Sequence, residues 1–176
     1  MPLLRPAQSK SEKMIKVDHA GENGAVNIYR AQRLSASLFW RSLRPQLREF
    51  QEHEEEHREI FRQHLAARGV RRCISYHLCG FGGFALGLVT GLMGRSAIAA
   101  TTYAVENVVL THLEHQMVYL KTNDTDAHDC VAKIYQDEKE HHDTAADQID
   151  ENSFLAKGLI RIVKMSTEGV IAIGMR

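Results

Sequence analysis

The chain has 176 residues, enough for one domain with a real core, and its 22 basic side chains balance 22 acidic ones. A formal net charge of zero gives no electrostatic case for nucleic acid as a partner. Three cysteines, Cys73, Cys79 and Cys130, are odd in number and lack CxxC spacing, which argues against a disulfide framework, a zinc ribbon or a rubredoxin-type iron centre. Ten histidines are many for this length and raise the prospect of metal. No proline follows Pro45, and that long proline-free run of helix-favouring composition predicts an all-α fold.

The opening stretch, "MPLLRPAQSKSEK", has basic residues but no continuous apolar core of a secretory signal. It fits a trimmed leader or a bacterial start equally well. Residues 1–12 are expected to form a flexible N-terminal segment of a single domain spanning 1–176. Helical periodicity is good from about Lys13 to Trp40, with Ile15, Ala25, Val26, Ile28, Tyr29 and Leu34 as a candidate buried stripe. Pro45 suits the start of a second helix running to about Arg68, and Gly69 is a plausible stop.

The character then changes. No Lys, Arg, Asp or Glu occurs between Cys73 and Gly94, and Gly83, Gly87 and Gly91 are spaced to share one helix face. The uncharged stretch has about the length of a membrane span, but its glycines argue against one. Residues 73–95 are better read as an apolar, membrane-associated segment, a short helix dipping into one leaflet; a buried core helix or a dimer contact is the plainer alternative. Ser96 to Lys121 reads as a long helix, "TNDTD" as a turn with a candidate N-cap, and Asp126 to Ile149 as a further helix. The last helix runs from about Phe154 to Ile173. There Lys157, Arg161 and Lys164 share a face opposite Leu159, Ile160, Ile162 and Val163, as in an interfacial helix with cations toward headgroups, and a plain amphipathic helix fits nearly as well.

Two stretches, "HEEEHREIF" and "DEKEHHD", each hold Glu-x-x-His: Glu54 with His57, and Glu138 with His141. Shifting the chain by 84 residues superposes them, and also lays Glu22 on Glu106 and Gln32 on Gln116. Each half therefore reads as a Glu, then Glu-x-x-His beginning 32 residues later. Two antiparallel helices return to the same height when their turn lies midway, and here each Glu stands roughly 24 Å from its turn. The upstream Glu of each hairpin then stands level with its Glu-x-x-His, whose two side chains share one helix face.

A single Glu-x-x-His is an ordinary solvated face. The matched upstream Glu in both halves is what such a face does not explain. Four carboxylates and two imidazoles on four helices form the ligand set of ferritin-like di-iron bundles. Carboxylate oxygen with imidazole suits iron or manganese, and bridging carboxylates hold two ions about 3.5–4 Å apart.

"VDHAGENGAVNIYRAQ", "EEEHREIF", "AVEN" and "DEKEHHD" together resemble the demethoxyubiquinone hydroxylase family of ubiquinone biosynthesis, in order and spacing, over nearly the whole chain. The resemblance implies a ferritin-like four-helix bundle with additional apolar and C-terminal helices. It implies two iron ions held by Glu22, Glu54, His57, Glu106, Glu138 and His141, with O2 as cosubstrate and an external, NADH-derived electron donor. The substrate would be the ring of a demethoxylated polyprenyl benzoquinone or quinol. His112, six residues after Glu106, is implied as a catalytic group beside the metals. Family members often carry Tyr after that His, whereas this chain has Leu113, which supplies no hydroxyl; Asn23 stands where an aromatic is common. The resemblance further implies peripheral association with the mitochondrial inner membrane at its matrix face, or with the cytoplasmic face of a bacterial inner membrane. A homo-oligomer and a lipid-binding partner protein of the same pathway are expected.

Asp137, directly before Glu138, is a candidate to orient a ligand histidine. His19 reads as a helix-start residue, His142 as surface, and His53, His64, His115 and His128 show no partner pattern. Two rival classes fit the sequence less well. Iron storage or peroxide reduction would need a shell-forming polar exterior or a CxxC pair. A metal-free helical lipid carrier would leave buried carboxylates without partners, which is costly.

Overall fold

The computed structural model describes residues 4–150 and 153–175, and these form six helices: α1 (Lys10–Phe39), α2 (Arg44–Ala67), α3 (Tyr76–Met93), α4 (Arg95–Asn123), α5 (Thr125–Ala146) and α6 (Phe154–Gly174). The expected elements are all present, with ends shifted by a few residues. Local chemistry sets those ends. Ser9 and Glu12 close a reciprocal capping box at the start of α1. Pro45 sits in the first turn of α2, after a short 3-10 turn at Arg41–Leu43. Gly69 follows α2 at φ +64°, and Gly94 separates α3 from α4 at φ +104°; both lie where a side chain is disfavoured. Asp124 caps α5 by accepting from the Ala127 amide at 3.1 Å. It also takes a two-pronged grip from Arg68 at 2.5 and 2.7 Å, tying the end of α2 to the start of α5.

Helices α1 and α2 form one hairpin, α4 and α5 the other, and the two make the four-helix bundle. α3 lies along α1 and α6 along α4. The α1–α3 contact is unusually close. A Cβ added at Gly83 would stand 2.2 Å from the Gly24 carbonyl oxygen, and one at Gly87 2.3 Å from that of Ile28. The glycine face anticipated from sequence is thus a packing face, and the opposite side of α3 is left outward with Leu78, Phe81, Val89 and Leu92 exposed. α3 is the one helix among the described residues long and apolar enough to cross a membrane.

Three expectations are corrected. Leu34 is 56% exposed, because Ala31, Gln32, Ser35 and Ala36 occupy the inward positions at that end of α1. Residues 1–3 of the supposedly loose N-terminal segment lie outside the described residues, but the rest is tied down. Arg5 exchanges backbone hydrogen bonds with Gly69 and Arg71, and its guanidinium grips buried Glu12, whose carboxyl is held down to about 2. Lys164 does not point toward headgroups. It turns inward to donate to Asn107 at 2.6 Å and lies over the Tyr103 ring, leaving Ile162, Met165 and Ile173 outside.

Two apolar clusters fill the bundle. One gathers Ile15, Phe61, Leu113, Leu120, Val131 and Ile134; the other gathers Tyr29, Leu43, Leu47, Phe50 and Ile98. In sequence, the two Glu-x-x-His motifs and their upstream glutamates fall between or beside these clusters on all four helices.

Candidate metal centre

Glu22, Glu54, Glu106 and Glu138 are 6%, 1%, 1% and 1% exposed, and His57 and His141 are buried beside them. Four carboxyls in one dry layer are expensive unless neutralised. They fall into two groups, Glu22–Glu54–His57–Glu138 and Glu54–Glu106–Glu138–His141, within each of which one ligand atom per residue lies within 4.8 Å of the others. Glu54 and Glu138 belong to both groups, as carboxylates bridging two ions would.

The protein's own contacts leave the cluster unfinished. Nδ1 of His57 is 2.9 Å from Glu138 Oε1, and Nδ1 of His141 is 3.3 Å from Glu54 Oε1. Yet Glu54 Oε1, Glu138 Oε2 and His141 Nδ1 are buried without a hydrogen-bond partner. All four carboxyls are pushed well above the usual range, first by burial and then by one another's charge. Burial holds the His141 imidazole down to about 3. Neutral imidazole, carboxylates in need of positive charge and unpartnered oxygens within a few ångströms fit a pair of divalent cations.

The outer nitrogens of the two histidines are also held. Nε2 of His57 meets Asp137 Oδ2 at 3.1 Å, so Asp137 does orient a histidine of the cluster, and it is the one on the other hairpin. Nε2 of His141 meets Nδ1 of His53 at 3.1 Å, with the rings stacked at 5.3 Å. This corrects the reading of His53 as partnerless. The missed signal was the repeat itself, since a shift of 84 lays His53 on Asp137. Tyr29 was placed only in the core, but its buried hydroxyl donates to Glu106 Oε1 at 2.9 Å.

A cavity of about 400 Å³ opens onto the four carboxyls. Its walls come from α1, α3, α4 and α6, with Ala25, Ile28, Leu86, Val109, Leu113 and Val163 among them. His112 lies half-buried on this wall, outside both ligand groups; burial lowers its basicity. Asp18 shares the wall. Its Oδ1 accepts from Gln116 Nε2 at 2.9 Å, its Oδ2 is buried without a partner, and burial lifts its carboxyl to about 7. His19, far from starting a helix, is buried within α1 and stacked on Tyr76 at 4.8 Å. His142 faces away from the cluster and lies against Tyr103.

A family model described as "Ubiquinone biosynthesis protein COQ7" matches residues 9–174. The chain belongs to the COQ7 family. It is 34% identical over 168 residues to the mitochondrial NADPH-dependent 3-demethoxyubiquinone 3-hydroxylase of Dictyostelium discoideum, covering 94% of this chain and 76% of that protein. The mouse protein of the same name is 33% identical, with 94% and 77% covered. The 3-demethoxyubiquinol 3-hydroxylase of Rhodospirillum rubrum is 34% identical over 133 residues, 75% of this chain and 62% of that one. COQ7 membership agrees with the all-α, ferritin-like architecture expected from the sequence. The Dictyostelium and mouse relatives are named for NADPH, where the resemblance implies a donor derived from NADH.

Proposed function

We propose that this protein hydroxylates the ring of a demethoxylated polyprenyl quinone or quinol in ubiquinone biosynthesis, using O2 and two iron ions held by Glu22, Glu54, His57, Glu106, Glu138 and His141. One observation carries the reading: the four buried carboxyls, with His57 and His141 beside them, line an apolar cavity walled by α3 and α6, two helices with exposed apolar faces. When bound, an iron pair would supply the redox chemistry that O2 activation needs, and the protein supplies geometry, dryness and substrate placement. One oxygen atom enters the ring as hydroxyl. The other leaves as water, formed with the two electrons and one proton of a hydride from a reduced nicotinamide donor and a second proton from solvent.

Each side chain then has a part. Glu54 and Glu138 are shared between the two positions, while Glu22 with His57 and Glu106 with His141 complete one each. The apolar walls exclude water and seat the first isoprene units. Asp18, with one carboxyl oxygen unpartnered on the wall, offers a hydrogen bond to a ring oxygen. His112 is a further polar group on the same wall. Exposed Phe81, Leu92, Ile162 and Met165 support docking of α3 and α6 on a bilayer, from which the tail enters. The membrane would be the inner mitochondrial membrane at its matrix face, or a bacterial inner membrane at its cytoplasmic face. Self-association and a lipid-binding partner protein fit the same apolar surface.

The test is oxygen labelling. Reduced, iron-loaded protein given 18O2 and a short-tailed demethoxyquinol is expected to yield a hydroxylated ring carrying one labelled atom by mass spectrometry. Label from water, or iron oxidised and mineralised with the quinol untouched, would replace this reading with ferroxidase chemistry.

A further inference from the structure

The 84-residue repeat makes the two halves of the cluster comparable atom for atom, and they differ in the groups behind the ligands. His57 and His141 are repeat mates, as are Glu22 and Glu106. Each histidine turns Nδ1 toward the carboxyls and Nε2 outward. An Nδ1 that gives its lone pair to a metal leaves the ring proton on Nε2. His57 therefore donates that proton to the Asp137 carboxylate, while His141 donates its own to Nδ1 of His53. A carboxylate acceptor pushes electron density into the imidazole and strengthens it as a ligand, whereas a second imidazole carries no negative charge to do so.

The terminal glutamates differ in the same direction. The Tyr29 hydroxyl donates to Glu106 and draws on the lone pairs of that carboxylate. Its repeat mate on the Glu22 side is Leu113, buried on the cavity wall and without a hydrogen to donate. Both differences make the Glu22–His57 position the richer in electron density.

We propose that the two metal positions are inequivalent by construction, the position completed by Glu22 and His57 filling first and the one completed by Glu106 and His141 second. The inference rests on the di-metal reading above and adds the order of filling and the residues that set it: Asp137, His53 and Tyr29. Outer-shell carboxylates change metal affinity by about 10- to 100-fold. Asp137 is 43% exposed, so water screens part of its charge and the separation is set near the lower end, about tenfold.

Stepwise titration of the metal-free full-length protein with Co(II) under argon, read by visible absorption with a competing chelator, tests this without turnover. Two ions are expected to bind with dissociation constants about tenfold apart. His53→Asp gives both histidines a carboxylate and is expected to draw the two steps together. Asp137→Asn, a near-isosteric change that serves if His53→Asp fails to fold, is expected to weaken the tighter step and leave the weaker one in place. Two ions bound with equal constants in the unaltered protein would overturn the inference while leaving the di-metal reading intact. So would a separation unmoved by Asp137→Asn. Binding of fewer than two Co(II) would remove the di-metal reading, and the inference with it.

Discussion

The first half of the molecule, α1 to α3, and the second, α4 to α6, follow one plan, and the contrast between their third helices is instructive. α3 is seated backbone to backbone on α1 at Gly83 and Gly87, where added Cβ atoms would meet carbonyl oxygens at 2.2 and 2.3 Å; at Gly80 and Gly91 they would meet the side chains of Asn23 and Ser35 at 2.5 and 2.8 Å. In α6, Cβ atoms at Gly158 and Gly169 would meet nothing within 4 Å, and only Gly174 at its end comes close to a neighbour, the Val17 side chain at 2.8 Å. The cavity lies between these helices and the bundle. The ligand layer is nearly the same in both halves, while what surrounds it has diverged. In this protein the repeated residues are those of the candidate metal centre, and the walls of the cavity that reaches it are built from residues that no longer match.

The largest expected effect comes from the layer the halves share. In the metal-free protein the four cluster carboxyls keep protons that the unfolded chain has shed, since their folded values lie well above the ordinary carboxylate range. The unfolded state then binds fewer protons, so stability falls as pH rises, by roughly 1.4 kcal/mol per pH unit for each proton retained. Asp18, lifted to about 7, adds to this near neutrality. The comparison belongs above pH 6.5, because His141 and His19, held down to about 3 and about 4, act with the opposite sign below it. Melting of the metal-free protein is expected to drop in temperature from pH 6.5 to 8.5, and metal, which replaces those protons, is expected to flatten the slope. A metal-free melting temperature that holds or rises over that range would contradict the proton count.

Next come the third helices. Gly83→Ala forces α3 off α1 and is expected to cost about 3 kcal/mol in denaturant unfolding, as overpacking does. The outward faces are the third comparison. Phe81→Asp on α3 and Ile162→Asp on α6 each remove about 1.5–3 kcal/mol of apolar burial in a bilayer. Each is expected to lower partition into phospholipid vesicles by roughly tenfold or more at unchanged helicity. Unchanged flotation of both variants would argue that these faces meet protein instead. The smallest effect is the mirror of the Gly83 test: Gly158→Ala in α6 has open space and is expected to stabilise by about 0.5–1 kcal/mol. Equal outcomes for the two glycines would erase the distinction between the helices.

Much of this was legible in the sequence because it is written in periodicity. Proline placement, Gly69, Asp124 and the charge-free stretch mark the helices, and the period of 84 with its i, i+3 pairs brings the six buried Glu and His side chains of the cluster together. What escaped depends on which way a side chain turns between helices. Leu34 is apolar at a helical spacing yet faces out, because smaller residues take the inward positions. Lys164 reads as a cation for headgroups until Asn107 and Tyr103 claim it. Glu12 looks like part of a loose, charged arm, and only the approach of Arg5 to the end of α2 gives it a buried role. His53 and Tyr29 act across the bundle on residues far along the chain, His141 and Glu106, and no local pattern announces such pairs.

The central claim is that Glu54 and Glu138 each belong to both metal positions. Iron analysis of anaerobically loaded protein, alongside Glu54→Ala and Glu138→Ala, tests it most directly. Two irons per chain are expected in the unaltered protein, and each single substitution is expected to empty both positions while circular dichroism keeps its helical signal. Two irons retained by either variant would contradict the shared-ligand site and the function built on it.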